Sequence, residues 1–213
     1  MSHSAAQHIS TAISIVTSTT PVLFAQPQPS GIASKGINED QAVSLASGTA
    51  DAATSDASTI SLAAPAWTVS AYVGHVVLIT SGALIGQTRI ITANTNQALT
   101  VDIAFSAQTD NMKFQILKPS TALPVVRGWS LEHTAVAGTM RMQSKGIVGT
   151  TLTTRNLISF VNTATSGSQV VTAGSFLGLP GGDLRAVCSA ASSCIATCDA
   201  YWIGHATTGV IDS

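Results

Sequence analysis

Charged side chains are scarce in this sequence of 213 residues. Asp, Glu, Lys and Arg make up only 9% of it, against about 25% in an average soluble domain. Nine cations and ten anions leave a formal net charge of −1. A nucleic-acid-binding protein needs a basic field that displaces the counterions of the phosphates, and nine scattered cations do not form one. We therefore expect no nucleic-acid partner.

Glutamate is almost missing, since Glu39 and Glu132 are the only two. The charged residues that cover the solvent faces of helical bundles are scarce, which argues against an all-α fold. Disorder is excluded by a hydrophobic content of 45%, because disordered chains combine low hydrophobicity with high net charge. Serine and threonine instead contribute 26 and 27 residues. A hydroxyl-rich surface with almost no net charge gives a free monomer little colloidal stability, so we expect assembly with other copies.

No apolar run is long enough to cross a membrane. The most apolar stretch, residues 73–85, contains His75 and is shorter than the ~20 residues of a transmembrane helix. Residues 1–7 hold neither a cation nor an apolar core, so no secretory signal is expected. We therefore expect folding in a cytoplasm and no membrane partner.

Three cysteines lie close together near the C-terminus: Cys188, Cys194 and Cys198. An odd number argues against a complete disulfide framework. Zinc with His205 as a fourth ligand is the alternative, but the spacing C-x5-C-x3-C-x6-H lacks the C-x2-C pair of typical zinc motifs. We favour buried thiols that pack as small apolar residues, and we expect no metal ion and no cofactor.

The chain is predicted to have three parts. Residues 1–36 form an extended N-terminal arm, because β-branched residues precede the stiff connector Gln26–Pro29. Such an arm is too small to have its own core, so it either returns to its own domain or lies on a neighbour. Residues 37–118, here called the first module, and residues 119–213, the second module, are predicted to be β-rich. The proline-bracketed stretch 118–124 divides them.

Alternating apolar and polar residues predict strands with one solvent-exposed face. The alternation is clearest in residues 99–105 and 112–116, and Asn94–Asn96 is expected to join Thr88–Ala93 to Ala98–Phe105 in a tight hairpin. In the second module the expected strands are Met140–Met142, Gly146–Thr153, Leu157–Val161, Gln169–Ala173, Leu184–Val187 and Tyr201–Gly204. Strands without helix-length gaps favour an all-β fold, with β-sandwich or barrel lobes and an extended N-terminal arm.

Catalytic motifs are absent: the sequence has no G-x-S-x-G, P-loop, G-x-G-x-x-G or H-E-x-x-H. Glu132 and His133 are adjacent, and neighbours on one strand point to opposite faces. A lone histidine in a β context, such as His75, is more often a structural residue. We therefore expect no enzyme activity and assign no catalytic, cofactor-binding or metal-binding residue.

Arg89 is the one cation in a long apolar stretch. The favoured interpretation is a solvated side chain on the exposed face of its strand. The alternatives are a position at a subunit boundary and a cross-strand ion pair with Asp102.

Five aromatic residues could stack on sugar rings, as in an adhesin. They are Trp67, Tyr72, Trp129, Tyr201 and Trp202. Because the chain has only ten aromatic residues, we favour their use in core packing or at an interface.

Residues 67–116 contain a series of motifs that carry a resemblance. In order they are Trp67, Gly74, the runs Val76–Ala83 and Gly86–Thr95, Leu99-Thr100-Val101 and Phe114-Gln115-Ile116. This stretch resembles a β module of structural proteins of tailed bacteriophage virions, in which a pattern V-x-I-x-S-G … G-Q-x-R-x-I-x-x-N precedes L-T-V and a closing strand. Leu84-Ile85 replace the small residues often found before the Gly-Gln pair, and Phe105 supplies the aromatic residue expected after Leu-Thr-Val.

The resemblance covers about a quarter of the chain and implies a phage virion protein. The favoured function is a capsid decoration (cement) protein. It would bind the outside of the head as a homotrimer and clamp neighbouring major capsid subunits, after assembly in the host cytoplasm. The alternatives are a tail-fibre, spike or neck component with a glycan-binding role, and a tail-tube or connector subunit. On the favoured interpretation, deleting residues 1–36 should abolish capsid binding while the β body stays folded.

Overall fold

Nearly all regular structure in the chain is β. The computed structural model describes residues 8–15, 21–27, 44–120, 123–133, 138–162, 167–171, 176–189 and 194–203. These ranges contain fifteen strands, β1 to β15, and a three-residue 3-10 helix at Gly82–Leu84. The predicted all-β fold class is confirmed.

The first module contains one six-stranded antiparallel sheet. Its strands are β3 (Ala46–Thr49), β4 (Thr59–Ser61), β5 (Val76–Ile79), β6 (Thr88–Asn94), β7 (Ala98–Val101) and β8 (Lys113–Leu117), in the order β3-β8-β5-β6-β7-β4. The sheet curls until its two edges meet, where the Asp51 amide donates a hydrogen bond to the Ser61 carbonyl at 2.8 Å. The curl encloses a core that includes Trp67, Leu99 and Phe114.

The hairpin expected at Asn94–Asn96 is present between β6 and β7. Asn94 pairs with Leu99, and the Thr95 hydroxyl oxygen accepts hydrogen bonds from the amides of Gln97 and Ala98. β7 ends at Val101, four residues earlier than predicted. The chain leaves the sheet there because the carbonyls that follow bind Arg89, as described below.

The second module contains two antiparallel sheets. One has the order β1-β15-β9-β12, with β13 also paired to β9; the other has the order β11-β10-β14-β2. The strands are β1 (His8–Ile15), β2 (Val22–Ala25), β9 (Leu123–His133), β10 (Gly138–Val148), β11 (Thr151–Asn162), β12 (Gly167–Val171), β13 (Phe176–Leu177), β14 (Leu184–Cys188) and β15 (Cys194–Ile203). Both sheets contribute side chains to one core, including Trp129, Met142 and Leu184, so they face each other as in a sandwich.

The described part of the N-terminal arm is extended, as predicted, and it returns to the second module. All eight residues of β1 pair with β15, and β2 pairs with β14. Phe24 and Ala25 are buried in the core of the second module. The expectation that the β body folds without residues 1–36 is therefore not compatible with this arrangement, because the deletion removes two edge strands and part of a core.

The predicted strand Gly146–Thr153 is wrong, because it spans a hairpin turn. β10 and β11 pair along their whole length up to Val148 and Thr151, and Gly149 makes the turn with a φ of +64°. Apolar and hydroxyl residues alternate on both sides of this glycine, so the periodicity alone does not reveal the reversal.

Candidate functional site: the joint between the two modules

Three neighbouring strands of the first module are buried on both faces. Each carries two consecutive apolar residues: Val76-Val77 in β5, Ile90-Ile91 in β6 and Ile116-Leu117 in β8. Since neighbours in a strand point to opposite faces, one residue of each pair enters the core of the first module and the other lies outside it. The three outer residues, here called the outer patch, are Val76, Ile90 and Leu117. They are at most 2% exposed and adjacent in register.

The second module contacts the sheet beside this patch through the tip of the β10–β11 hairpin. A Cβ atom placed on Gly74 would overlap Cγ1 and Cδ1 of Ile147, and Gly74 has a φ of +81°. The Gly74 amide donates to the carbonyl of Ile91 at 2.7 Å. Glycine is therefore required at this position for two reasons: its backbone conformation and the close approach of Ile147.

The N-terminal arm makes a second contact between the modules. Thr88 lies two residues before Ile90 in β6 and hence on the same face. Its amide donates to Oε1 of Gln26 at 2.5 Å, and its hydroxyl donates to the carbonyl of Pro27 at 2.7 Å. Because Phe24 and Ala25 belong to the core of the second module, this short segment links that core to the sheet of the first module.

A buried ion network makes the third contact. Asp102 follows β7, and its amide donates to the Ile90 carbonyl at 3.1 Å. Its carboxylate is paired with Arg185 of β14 and lies 3.8 Å from Nζ of Lys145 in β10. Arg185 also binds both carboxylate oxygens of Asp183, with 3.0 Å between Nε and Oδ1. The side chains of Asp102, Asp183 and Arg185 are at most 4% exposed.

The network places two carboxylates against one guanidinium. Burial raises the pKa of Asp183 to about 6, although the charge and hydrogen bonds of Arg185 act in the opposite direction. Burial also opposes the charged form of Arg185, but Asp183 and then Asp102 outweigh it, so the pKa of Arg185 is raised. Arg185 therefore stays charged, and its charge is neutralised inside the protein.

Arg89 does not occupy the position predicted for it. The favoured solvated interpretation is wrong, since the side chain is buried, and it forms no ion pair with Asp102. Its guanidinium donates to the carbonyls of Thr88 and Ile103 at 2.8 and 3.1 Å, and its Cζ lies 4.8 Å from the centre of the Phe105 ring. Burial lowers the pKa of Arg89, although Asp102 and Asp183 act against this. Arg89 thus fixes the loop that carries Asp102, while Asp102 itself reaches the other module.

The described cysteines are core residues. Cys188 of β14 and Cys198 of β15 lie in opposite sheets and are both buried in the core of the second module. Burial raises the pKa of the Cys198 thiol to about 12, with a further contribution from Asp199. The Cys194 side chain and His205 lie outside the described residues. Within the described ranges, no three His, Cys, Asp or Glu side chains are grouped so that they could hold a metal ion.

The described tryptophans are also core residues. Trp67 packs edge-on against Tyr72 and Phe114, with ring centres 6.2 and 6.1 Å apart. Trp129 is 2% exposed, and its ring centre lies 4.7 Å from that of Phe160. Core packing, the favoured use, is thus confirmed for both. The side chains of Glu132, His133, Tyr201 and Trp202 lie outside the described residues.

The sequence contains a signal for the outer patch that the strand predictions did not use. One-sided strands should alternate, whereas consecutive apolar residues in three strands indicate burial on both faces. The ion network has no comparable signal. Asp102 and Arg185 are 83 residues apart, and only the packing of the modules brings them together.

The outer patch, the Ile147–Gly74 contact, the Thr88 hydrogen bonds and the ion network are together called the joint. No protein family, curated protein or solved structure matches the chain. The described residues contain no helix with the length and hydropathy needed to span a bilayer.

Proposed function

We propose that this protein is a structural component of a tailed phage virion, and that it acts as a capsid decoration (cement) protein. The observation that supports this best is the joint. A clamp resists the separation of two capsid subunits only if its own two lobes do not move apart. Here the lobes are connected by the contact of Ile147 with Gly74, by the hydrogen bonds of Thr88 and by a buried ion network, so a load on one lobe reaches the other.

An uncharged loop of the first module provides a suitable contact surface. Eight of the nine residues from 63 to 71 are exposed and none is charged. Asn94 holds the loop by donating to the Thr68 carbonyl and accepting from the Tyr72 amide, both at 2.8 Å. Ser70 has a φ of +62°, a conformation that non-glycine residues rarely adopt. Such a preorganised surface loses little conformational entropy when it docks on a partner.

In this proposal the partners are the major capsid protein and further copies of the same chain, arranged as a homotrimer on the outside of the head after assembly in the host cytoplasm. Several weak contacts per trimer would add through avidity. The proposal includes no enzymatic role. The glycan-binding alternative loses two of its candidate residues, because Trp67 and Trp129 are enclosed in cores.

The tail-tube alternative has one observation in its favour. β10 and β11 are 11 and 12 residues long, and within the described residues β11 pairs with β10 alone. A long hairpin with an open edge is what a ring-forming subunit needs in order to join its neighbours.

Particles prepared with and without the protein test the two functions. Antibody labelling observed by electron microscopy should place the protein on the head surface, and particles without it should release DNA at a lower temperature. Readdition of the protein should restore the release temperature, whereas the variant Val69→Asp, altered in the exposed loop, should bind more weakly. The variant Val161→Asp, similarly exposed on β11, is the matched control. Labelling of the tail would favour the tube subunit, and labelling of neither would contradict a virion role.

A further inference from the structure

The second module is completed by a segment that is distant in sequence. Both of its sheets have an edge strand from the N-terminal segment, here residues 8–27: β1 lies beside β15, and β2 lies beside β14. The remaining strands of this module begin at residue 123, after the whole of the first module. Without the segment, both sheets would have unpaired edges at the same side of the sandwich.

The two strands of the segment form a single unit. β1 and β2 contact each other, and β1 also contacts β14, where the two sheets meet. Phe24 is 6% exposed and Ala25 7% exposed in the core of the second module. Burying a phenylalanine side chain removes a large apolar surface from water and so stabilises the docked segment. The segment therefore binds by backbone pairing on two edges and by insertion of an apolar anchor, which are the features of strand addition to a sheet.

The segment is joined to the first module by a long stretch of chain. Residues 28–43 are sixteen residues and can span at most about 55 Å. Because this stretch is a covalent connection, it gives the chain's own segment a high effective concentration, up to the millimolar range. Another copy of the same segment competes with it once the local concentration of copies reaches that range, as it does in a dense assembly.

We infer that the second module is a strand acceptor, and that copies of this chain bind one another by exchanging the segment of residues 8–27, which carries β1 and β2. The exchanged segment makes every contact of the closed form, including those of Gln26 and Pro27 with Thr88 of the accepting copy. The exchange therefore loses no native contact. It connects two copies through side chains that are buried in the core of the second module. This inference concerns binding between copies and is independent of the location proposed on the phage head.

A single substitution makes the exchange visible. Ile15 is the register partner of Cys194, so Ile15→Cys places a thiol opposite the native Cys194 of whichever copy accepts the segment. Cys198 does not compete, because a thiol whose pKa is raised to about 12 has little thiolate at neutral pH. Ser14→Cys is the matched control, since its register partner is Ile195.

The purified full-length variants are oxidised, or bridged with a short bifunctional thiol reagent, from micromolar to millimolar concentration and then separated on a denaturing gel. Ile15→Cys should give linked monomers in dilute solution and a rising share of linked dimers and larger species towards millimolar concentration, whereas Ser14→Cys should give neither. Intramolecular links alone at every concentration would overturn the inference. Two unlinked thiols would contradict the register on which it depends and overturn it as well. If Ile15→Cys does not fold, the register pair Ala12→Cys with Thr197→Cys provides the same test.

Discussion

Asp102 of the first module and Arg185 of the second form a buried ion pair across the joint. Both side chains are almost inaccessible, and Arg185 has a second carboxylate partner in Asp183. The positive charge of Arg185 is therefore neutralised by one carboxylate from each module, and the pair with Asp102 connects the two modules.

Asp102→Asn should weaken the joint without leaving a charge unpaired, because Arg185 keeps Asp183. We expect a loss of about 1.5–3 kcal/mol in the free energy of unfolding, the range for hydrogen bonds to charged groups. Arg185→Met should cost more, about 3–5 kcal/mol, because the buried carboxylates of Asp102 and Asp183 then both lose the guanidinium. Urea unfolding measures the free energy of unfolding of both variants.

Asp110→Asn, in the turn before β8, is the control and should change stability by no more than ~0.5 kcal/mol. An Arg185→Met variant as stable as Asp102→Asn would contradict this account of the network.

Gly74→Ala should destabilise the protein for two separable reasons. The left-handed backbone costs an alanine about 1–2 kcal/mol, and its Cβ meets Ile147, which adds about 1–3 kcal/mol of overpacking. Gly86 has a similar φ of +82° and no atom within 4 Å of an added Cβ, so Gly86→Ala should show the backbone cost alone. Thermal unfolding compares the two. If Ile147 contacts Gly74 in solution, Ile147→Ala should partly restore the stability lost in Gly74→Ala. Equal losses of stability in Gly74→Ala and Gly86→Ala would contradict this contact.

Stability should depend on pH through Asp183. Its pKa is raised from 3.8 to about 6 in the folded state, so the folded protein binds this proton more tightly than the unfolded chain. The resulting stabilisation is fully present below pH 3.8 and is lost as the pH rises to about 6. A rise of about two in the pKa of Asp183 corresponds to about 3 kcal/mol in the free energy of unfolding.

Urea unfolding at pH 4, 5, 6 and 7 measures this dependence, and Asp183→Asn should remove this part of the slope between pH 4 and 6. Asp56 affects the free energy of unfolding in a different pH range. Its pKa is lowered by hydrogen bonds from Ser58 and Thr59, so its contribution is present above pH 3.8 and is lost only in stronger acid. A wild-type profile between pH 4 and 6 that matches that of Asp183→Asn would show that Asp183 does not titrate in this range.

Removal of residues 1–27 should unfold the second module and leave the first module largely intact. The deletion takes away β1, β2 and the buried side chains of Phe24 and Ala25. Hydrogen exchange followed by mass spectrometry should show lost protection in β9–β15 and retained protection in β3–β8.

The milder variant Phe24→Ala should cost about 3–5 kcal/mol. Leu23→Ala, at the half-buried neighbouring position, is its control and should cost less. A truncated protein with full protection in β9–β15 would show that the second module folds without its N-terminal strands.

The sequence was sufficient for features that depend on local pattern. Alternation in residues 112–116 predicted a strand with one solvent-exposed face, and β8 buries Phe114 and Ile116 on its other face. The Asn94–Asn96 turn placed a hairpin correctly. It was insufficient where tertiary contacts decide. Arg89 has the sequence context of a solvated residue, yet it is buried because the carbonyls of the loop after β7 surround its guanidinium. The partner of Asp102 was also beyond reach, since it lies in a different module and no local pattern connects the two.

The position of β1 has a consequence for synthesis on the ribosome. His8 pairs with Tyr201, so nearly the whole chain must be translated before the first strand meets its partner. At about 5–20 residues per second this delay lasts roughly 10–40 s. The first module has all its strands within 44–118 and can fold during that time. Biogenesis is therefore expected to proceed in two stages, with the completion of the second module's sandwich as the late event.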